Sequence, residues 1–564
     1  MDAQDILSLC KRRGFVWPSF EIYGGVAGMY DFGPLGLELK NNIVEVWRDV
    51  YKRGEGFIEI DSETVSPEAV FKASGHLEQF SDLMTRCASC QNPYRADHLA
   101  DGLHPNPDVL SAEELEALLR SEGVPCPDCG GELGPVEDFN LMFKTHIGPG
   151  SSRVGYLRPE TAQGIFVNFP LLYRHNREKL PLGVMQTGRG YRNEISPRQG
   201  MLRLRELNML EVELFVDPED KGWERFPEAA GETLRLLPAD GDEMEITVAE
   251  SVERGIIANK VLAYFIWLTK EYMVRLGVDP ARLRFRQHES DEMAHYAADC
   301  WDAEALLSYG WTEIAGIADR GCWDLSRHSE HSGYDMSHFK KFDEPREVER
   351  VAVKAQHRAL GPLYRGEAKA IAAAIEACSP DDVKDGRLRL EVDGEELDLG
   401  PELFEVATVR ESVAGDRVIP HVIEPSYGLD RVFYTVIEHA YDHRKEEDYT
   451  VLRLKPELAP IKVGVFPLMA RDGLPEVAKR IQRQLMAAGV DAFYDDSGSI
   501  GRRYARMDEV GTPWCVTVDY VTIEEGEDKG TVTLRERDDG SQGEKRIDVD
   551  DIVATVLERL ASSR

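Results

Sequence analysis

At 564 residues the chain has room for several domains and a sizeable core, and its 42% hydrophobic content is that of an ordinary globular protein. The longest apolar run, VLAYFIWL at 261–268, is too short to span a bilayer, and the opening MDAQDILSLCKRRG lacks the apolar stretch of a signal peptide. A soluble cytoplasmic protein with no membrane partner is therefore expected. The formal net charge of −35 repels nucleic acid at long range, so any RNA partner has to be met by a local basic patch. Lys supplies only 20 of the 67 Lys and Arg residues, and such an acidic, Lys-poor surface fits a salt-loving host, where salt screens self-repulsion.

In chain order, Gly-Gly and Gly-Pro pairs in residues 20–36 mark turns. Leu37 to Tyr51 predicts a helix, with Leu39, Ile43, Val46, Trp47 and Val50 at near-helical spacing. FIEIDSETVSP (57–67) reads as one strand ending at Pro67. Cys87-x-x-Cys90 and Cys126-x-x-Cys129 follow, and four thiolates in two such pairs suit a structural, tetrahedral zinc ion. Disulfides are disfavoured in a reducing compartment, which leaves a knuckle without metal as the alternative. SAEELEALLRSEG between the pairs is helix-like. In GYLRPETAQGIFVNF (155–169), Glu160 follows Pro159, where a carboxylate also favours a helix N-terminus.

Residues 183–216, GVMQTGRGYRNEISPRQGMLRLRELNMLEVELFV, predict two strands. The first ends near Ile195, SPRQG forms the loop, and the second begins near Met201. Alternation puts Arg203, Arg205, Leu207, Met209 and Glu211 on one face and Leu204, Leu210, Val212 and Leu214 on the core side. Arg192 and Glu194 share a face of the first strand by the same rule. Arginines converging on a sheet suit a polyphosphate, because the guanidinium fork stays charged and binds phosphate oxygens bidentately. A solvated charged face is the competing reading.

Residues 217–310 look like an inserted helical region, and GWTEIAGIADRGCWDLSRH (310–328) like a strand and a turn. VAVKAQHRALGPLYRGEAKAIAAAIEA (351–377) reads as a helix in a second insertion. PHVIEPSYGLDRVFYTVIEHAY (420–441) passes from strand to helix. Glu424, Ser426 and Gly428 share a strand face there, and Val432, Phe433, Val436, Ile437 and Ala440 form a helical stripe. Beyond about 458, strands alternate with helices as in a small α/β domain, with Arg502, Arg503 and Arg506 as the local basic patch.

Tyr191-Arg192-Asn193-Glu194, a loop, then Arg203-x-x-x-Leu207-x-x-x-Glu211 resembles motif 2 of the class II aminoacyl-tRNA synthetases, with Leu207 where the family carries Phe. The helix, strand and Pro ending at Pro67 resemble motif 1, the usual dimer interface, and Gly428-Leu429-Asp430-Arg431 resembles motif 3. The wording of residues 20–51, YRADHL (94–99) and the Glu160 segment is similar to glycyl-tRNA synthetases, of the homodimeric kind and the archaeal and eukaryotic branch.

The resemblance implies attachment of glycine to tRNA(Gly) through a glycyl-adenylate. ATP and Mg²⁺ would take part, with Mg²⁺ near Glu313 and Glu424. It implies catalytic roles for Arg192, Arg203 and Arg431, and ATP contacts from Arg192, Asn193, Glu194 and Leu202 to Leu207 (Leu202, Arg203, Leu204, Arg205, Glu206, Leu207). Glu313, Ile314, Gly428, Leu429, Asp430 and Arg431 would complete the nucleotide site. Arg95, Glu160, Leu207, Glu211, Arg320, Glu424, Ser426 and Gly428 would surround glycine, and Arg502, Arg503 and Arg506 would meet tRNA. The implied fold is α+β, an antiparallel class II sheet flanked by helices. Its parts are a core segment at 1–85, a zinc insertion at 86–137, and core at 138–455 with insertions at about 220–305 and 330–418. An anticodon-binding α/β domain follows at 458–564. A class II enzyme for another amino acid, or a non-catalytic RNA-binding relative, would share much of this pattern. The carboxylates Glu160 and Glu424 argue against the first, and the presence of Arg192, Glu194 and Arg431 against the second.

Overall fold

The computed structural model describes residues 3–150, 152–197, 200–289, 298–392, 394–444, 449–538 and 545–563. The chain forms two compact units, one of residues 1–336 with 419–564 and one of residues 337–418.

The first unit is built on a nine-stranded sheet. Its strands are β1 (Ile58–Ile60), β2 (Leu182–Tyr191), β3 (Glu206–Val216), β4 (Thr233–Leu237), β5 (Met244–Thr247), β6 (Leu283–Gln287), β7 (Asp299–Leu307), β8 (Gly310–Gly321) and β9 (His421–Gly428). They lie in the order β5-β4-β6-β7-β8-β9-β3-β2-β1, antiparallel except for the β4/β6 and β1/β2 pairs. One face is sealed by helices α1 (Pro34–Arg48), α3 (Lys260–Arg275) and α5 (Leu429–Ala440), against which Leu210, Val212, Leu214, Ile317, Ile423 and Tyr427 are buried. The stripe of α5 is fully committed to this core: Val432, Phe433, Val436, Ile437 and Ala440 are all buried. The opposite face is covered at one end by α2 (Ala162–His175) and α4 (Trp323–Ser332), where Phe166, Phe169, Val184, Phe215, Leu325 and Val422 pack together. The rest of that face is open.

Several boundaries differ from the sequence expectation. The 192–205 stretch leaves the hairpin, so Arg192, Glu194, Arg203 and Arg205 stand on a loop and not on strands. Arg198 and Gln199 of the SPRQG loop lie outside the described residues. Residues 57–67 form two short strands in different sheets, Ile58–Ile60 and Val65–Pro67. The stretch expected as an insertion at about 220–305 supplies β4, β5, β6 and most of β7 together with buried α3, and is integral to the core. The turn expected after Gly321 is the helix α4.

A five-stranded sheet closes the chain, with β10 (Val463–Pro467), β11 (Ala492–Tyr494), β12 (Trp514–Val518), β13 (Thr531–Glu536) and β14 (Lys545–Asp548) in the order β11-β10-β12-β13-β14. It packs on α6 (Leu474–Ala487) and α8 (Ile552–Ser562) around its own core of Val463, Val465, Ile481, Val516 and Val532, while α7 (Ile500–Glu509) joins the larger core through Met507 beside Phe466 and Cys515. In the second unit, Val351–Ala355 end an 18-residue strand, His338–Ala355, paired with Phe404–Val418. The expected single helix is thus a strand followed by His357–Tyr364 and Ala368–Ala377. Among the described residues no helix is long and apolar enough to cross a membrane.

Candidate active site

The open face of the sheet presents its side chains in rows. Across β7, β8, β9, β3 and β2, one row runs Asp302, Gly316, Ser426, Glu211, Gln186. The next runs Cys300, Ala318 and Glu424, with Glu213 on the same face of β3. Small residues at Gly316, Ala318, Ser426 and Gly428 leave space above the sheet, and a cavity of about 500 Å³ sits there. Glu160, Arg192, Glu194, Arg203, Leu207, Glu211, Glu313, Arg320, Glu424, Ser426, Gly428 and Arg431 all line it.

Two poles of opposite charge result. At one, Glu160 is brought onto the sheet because β2 carries glycines beneath it: a Cβ at Gly188 would sit 2.7 Å from the Thr161 methyl, and one at Gly190 2.6 Å from the Pro159 carbonyl. Gln163 donates to Glu160 at 3.0 Å, and His76 Nε2 lies 3.5 Å away. Burial opposes the charge on Glu160, but His76, Arg320 and Gln163 outweigh it and hold the carboxyl well below its usual range. Glu211, 1% exposed, accepts from Thr161 Oγ1 and from Ser426 Oγ at 3.3 Å. Burial, then the charges of Glu160 and Glu424, push it up to about 8. Glu213 is fully buried with neither oxygen hydrogen-bonded among the described residues, and burial and then Glu424 raise it well above the usual carboxylate range. Two buried arginines serve this group, Arg158, whose charge couples to that of Glu211, and Arg320 at its centre. Arg320 Nε donates to Asp324 at 2.9 Å and its Nη1 to Glu424. Burial and Glu160 raise the Glu424 carboxyl against the pull of Arg320. The charges of Glu160 and Glu424 that raise Glu211 mark a negative potential here, suited to a small cation such as an ammonium group.

At the other pole stand the arginines. Arg192 Nε donates to the Pro159 carbonyl at 3.3 Å and its guanidinium lies 5.4 Å from the Phe80 ring centroid. Arg203 Nε is 3.7 Å from Glu194, which burial raises and Arg203 and Arg192 partly restore. Arg431, in the first turn of α5, donates to the Leu202 carbonyl at 3.0 Å and to Glu313 at 2.8 Å. Closeness of protein atoms opposes charge on half-exposed Glu313, yet Arg431 and Arg192 hold it below its usual range. Glu313 and Glu424 are thus held by different arginines, Arg431 and Arg320.

Other expected contacts are turned elsewhere. Leu202, Leu204, Ile314 and Asp430 line the cavity, but Asp430 is spent on the backbone N–H and side chain of Asn208, at 2.6 and 2.8 Å. Leu429 packs into the helical core. Arg205 clamps the Glu194 and Ala27 carbonyls, Glu206 pairs with Arg189, and the Asn193 N–H bonds the Leu141 carbonyl. Arg95 is held by Asp82 at 3.4 Å and by Asp97. Arg503 is buried with its guanidinium on the carbonyls of Pro467, Asp496 and Gly498, and Arg506 pairs with Asp495. These two hold the 495–498 turn together and form no basic patch; Arg502 alone of the three is exposed. Sequence reasoning missed Asn208, His288, Cys300, Asp302, Gly316 and Ala318, which also line the cavity, as does Met209 from the face already assigned. Glu213 was legible, since Val212 and Leu214 as core residues place it beside Glu211.

Away from this cavity, Cys87, Cys90, Cys126 and Cys129 bring four sulfurs within 4.8 Å of one another. Cys87–Cys129 and Cys90–Cys126 are 3.5 and 3.7 Å apart, close to the edge of about 3.8 Å that a tetrahedron with 2.3 Å Zn–S bonds requires. Backbone N–H groups of Ser89 and Cys90 point at Cys87 Sγ, both at 3.4 Å, supporting a thiolate. The cluster fits zinc.

The sheet, the paired poles on its open face and the appended α/β domain define a class II aminoacyl-tRNA synthetase. Two family models match accordingly: the tRNA synthetase class II core domain (G, H, P, S and T) over residues 149–299, and the anticodon binding domain over residues 462–559. The chain is 50% identical to the glycine–tRNA ligase of Methanothrix thermoacetophila over 99% of this chain and 97% of that one. It is 47% identical to that of Methanocaldococcus jannaschii over 99% of both. To that of Methanothermobacter thermautotrophicus it is 47% identical over 98% of both. The chain belongs to the glycine–tRNA ligase family.

Proposed function

We propose that the protein joins glycine to tRNA(Gly) in two steps, through glycyl-adenylate, with release of pyrophosphate and then AMP. The observation that carries this reading is one cavity with carboxylates at one pole and arginines at the other. Glycine binds with its ammonium among Glu160, Glu211, Glu424 and Ser426. Arg320, held by Asp324 and Glu424, meets its carboxylate. ATP lies along the loop 192–205, with Glu194 accepting from the adenine amino group and Leu207 beneath the base. Arg203 and Arg431 hold the γ-phosphate end, and Arg192 bridges the α-phosphate and the glycine carboxylate.

Two anions must meet, so catalysis is positioning and charge neutralisation, with no protein nucleophile. Glu313 would be the carboxylate to accept Mg²⁺ bound with the nucleotide, which would supply further charge neutralisation. The tRNA 3′ hydroxyl then attacks the adenylate carbonyl. The 462–559 domain reads the anticodon arm, with Arg502 as its exposed cation. A cytoplasmic homodimer, paired through the 34–67 region, and a salt-rich host complete the reading. ATP–pyrophosphate exchange with a panel of amino acids tests it: exchange with glycine alone is expected, and exchange with proline or threonine instead would overturn it.

A further inference from the structure

The cavity holds a third group of side chains that neither pole uses. β6 and β7 pair so that Arg286 faces Asp302, and the His288 N–H bonds the Cys300 carbonyl at 3.0 Å. His288, Cys300 and Asp302 therefore project from the same sheet face, and all three line the cavity. One donor atom from each, an imidazole nitrogen, a thiol sulfur and a carboxylate oxygen, lies within 4.8 Å of the others.

His288 and Asp302 are in direct contact, with Nε2 2.9 Å from Oδ1. Two donors at about 2.0–2.1 Å from a shared tetrahedral ion are about 3.3 Å apart, so the pair stands within about half an ångström of ligand spacing. The other carboxylate oxygen, Oδ2, accepts from Arg286 at 2.9 Å, which fixes the carboxylate and leaves Oδ1 toward the cavity. On the next strand Ala318 and Gly316 stand opposite Cys300 and Asp302, so no bulky side chain from β8 covers the group.

We propose that His288 Nε2, Cys300 Sγ and Asp302 Oδ1 form a binding site for a zinc-type divalent transition-metal ion, separate from the four-cysteine cluster. A nitrogen, sulfur and oxygen donor set selects a borderline ion such as Zn²⁺ or Co²⁺ over Mg²⁺, which prefers oxygen alone. Three protein ligands leave a fourth position facing the cavity, open to water or a substrate oxygen. The ion sits two strands from Glu424, about 10 Å at the usual strand spacing, and so does not compete for the carboxylate pole. The competing arrangement is an imidazolium–carboxylate pair with a bystander thiol.

The test uses the full-length protein loaded with zinc and freed of loosely held metal, then titrated with Co²⁺ under reducing conditions. The expected result is one further Co²⁺ per chain, with the near-ultraviolet charge-transfer band of a single thiolate. Cys300→Ser should abolish that band and His288→Gln should weaken Co²⁺ binding more than about tenfold. No uptake beyond the four-cysteine cluster would overturn the proposal in favour of the ion pair. So would a four-thiolate spectrum, or uptake unchanged in Cys300→Ser, since either places Co²⁺ in the other cluster.

Discussion

Leu207 stands where the class II pattern carries Phe, and it lines the same cavity as Arg431. Leucine buries apolar surface against a base but offers no π face. Base–aromatic stacking is worth about 1–3 kcal/mol by alanine substitution, and leucine recovers part of it, so Leu207→Phe should tighten ATP binding by about 1 kcal/mol, roughly fivefold. Overpacking opposes this by about 1–3 kcal/mol in a closed core, but the position faces an open cavity. Dissociation constants for ATP in both proteins at one salt concentration decide between stacking and strain. Glu211 gives a second residue-scale prediction. Burial and the neighbouring Glu160 and Glu424 raise its carboxyl from 4.5 to about 8. Between those values the folded protein keeps a proton that the unfolded chain has released, so stability falls as pH rises through that window. Glu211→Gln removes this contribution. Its melting temperature relative to wild type should climb from pH 5 to pH 8 and level above. A difference independent of pH would show that Glu211 is ionised throughout, and glycine binding should weaken in the variant either way.

At the scale of elements, the four-cysteine cluster ties the Ser81–Cys87, Pro93–Arg95 and Leu133–Asn140 strands together at the end where Cys87 and Leu133 pair. Metal analysis of protein dialysed under reducing conditions should find one tightly held zinc per chain, lost in Cys87→Ser with Cys126→Ser. Retention in that variant would place the metal elsewhere. This cluster was legible because ligand type and spacing are local. The α5 stripe was legible for the same reason, its period being visible in twelve residues. The loop at 192–205 was not: alternation can be traced through it, but the Arg205 bonds to the Glu194 and Ala27 carbonyls turn the chain out of the sheet. The 220–305 stretch reads as an insertion because α3 is apolar on most sides, as a helix buried under a sheet must be, and because its strands pair among themselves and join the core sheet only through the β7/β8 hairpin. His288 and Cys300 meet only once the β6/β7 register is known, which no spacing rule supplies. Arg503 and Arg506 show the opposite error, since charge alone does not distinguish a basic patch from guanidinium groups spent on backbone carbonyls.

At the scale of the whole molecule, the charge of −35 is spread over a chain with few lysines. Such self-repulsion is screened only within a Debye length, about 10 Å at 0.1 M salt and 3 Å at 1 M. Melting temperature and activity should therefore rise steeply with KCl toward molar concentration, and a melting temperature unchanged in dilute buffer would contradict the halophilic reading. The central claim is that one sheet face brings an amino acid held by carboxylates against a nucleotide held by arginines, with Arg192 between them. Glycine-dependent ATP–pyrophosphate exchange in wild type and Arg192→Ala tests it most directly. Loss of one transition-state contact costs about 3–4 kcal/mol, so the variant should be slower by roughly a hundred- to a thousandfold. Exchange at the wild-type rate in the variant, or wild-type exchange that does not depend on glycine, would contradict it.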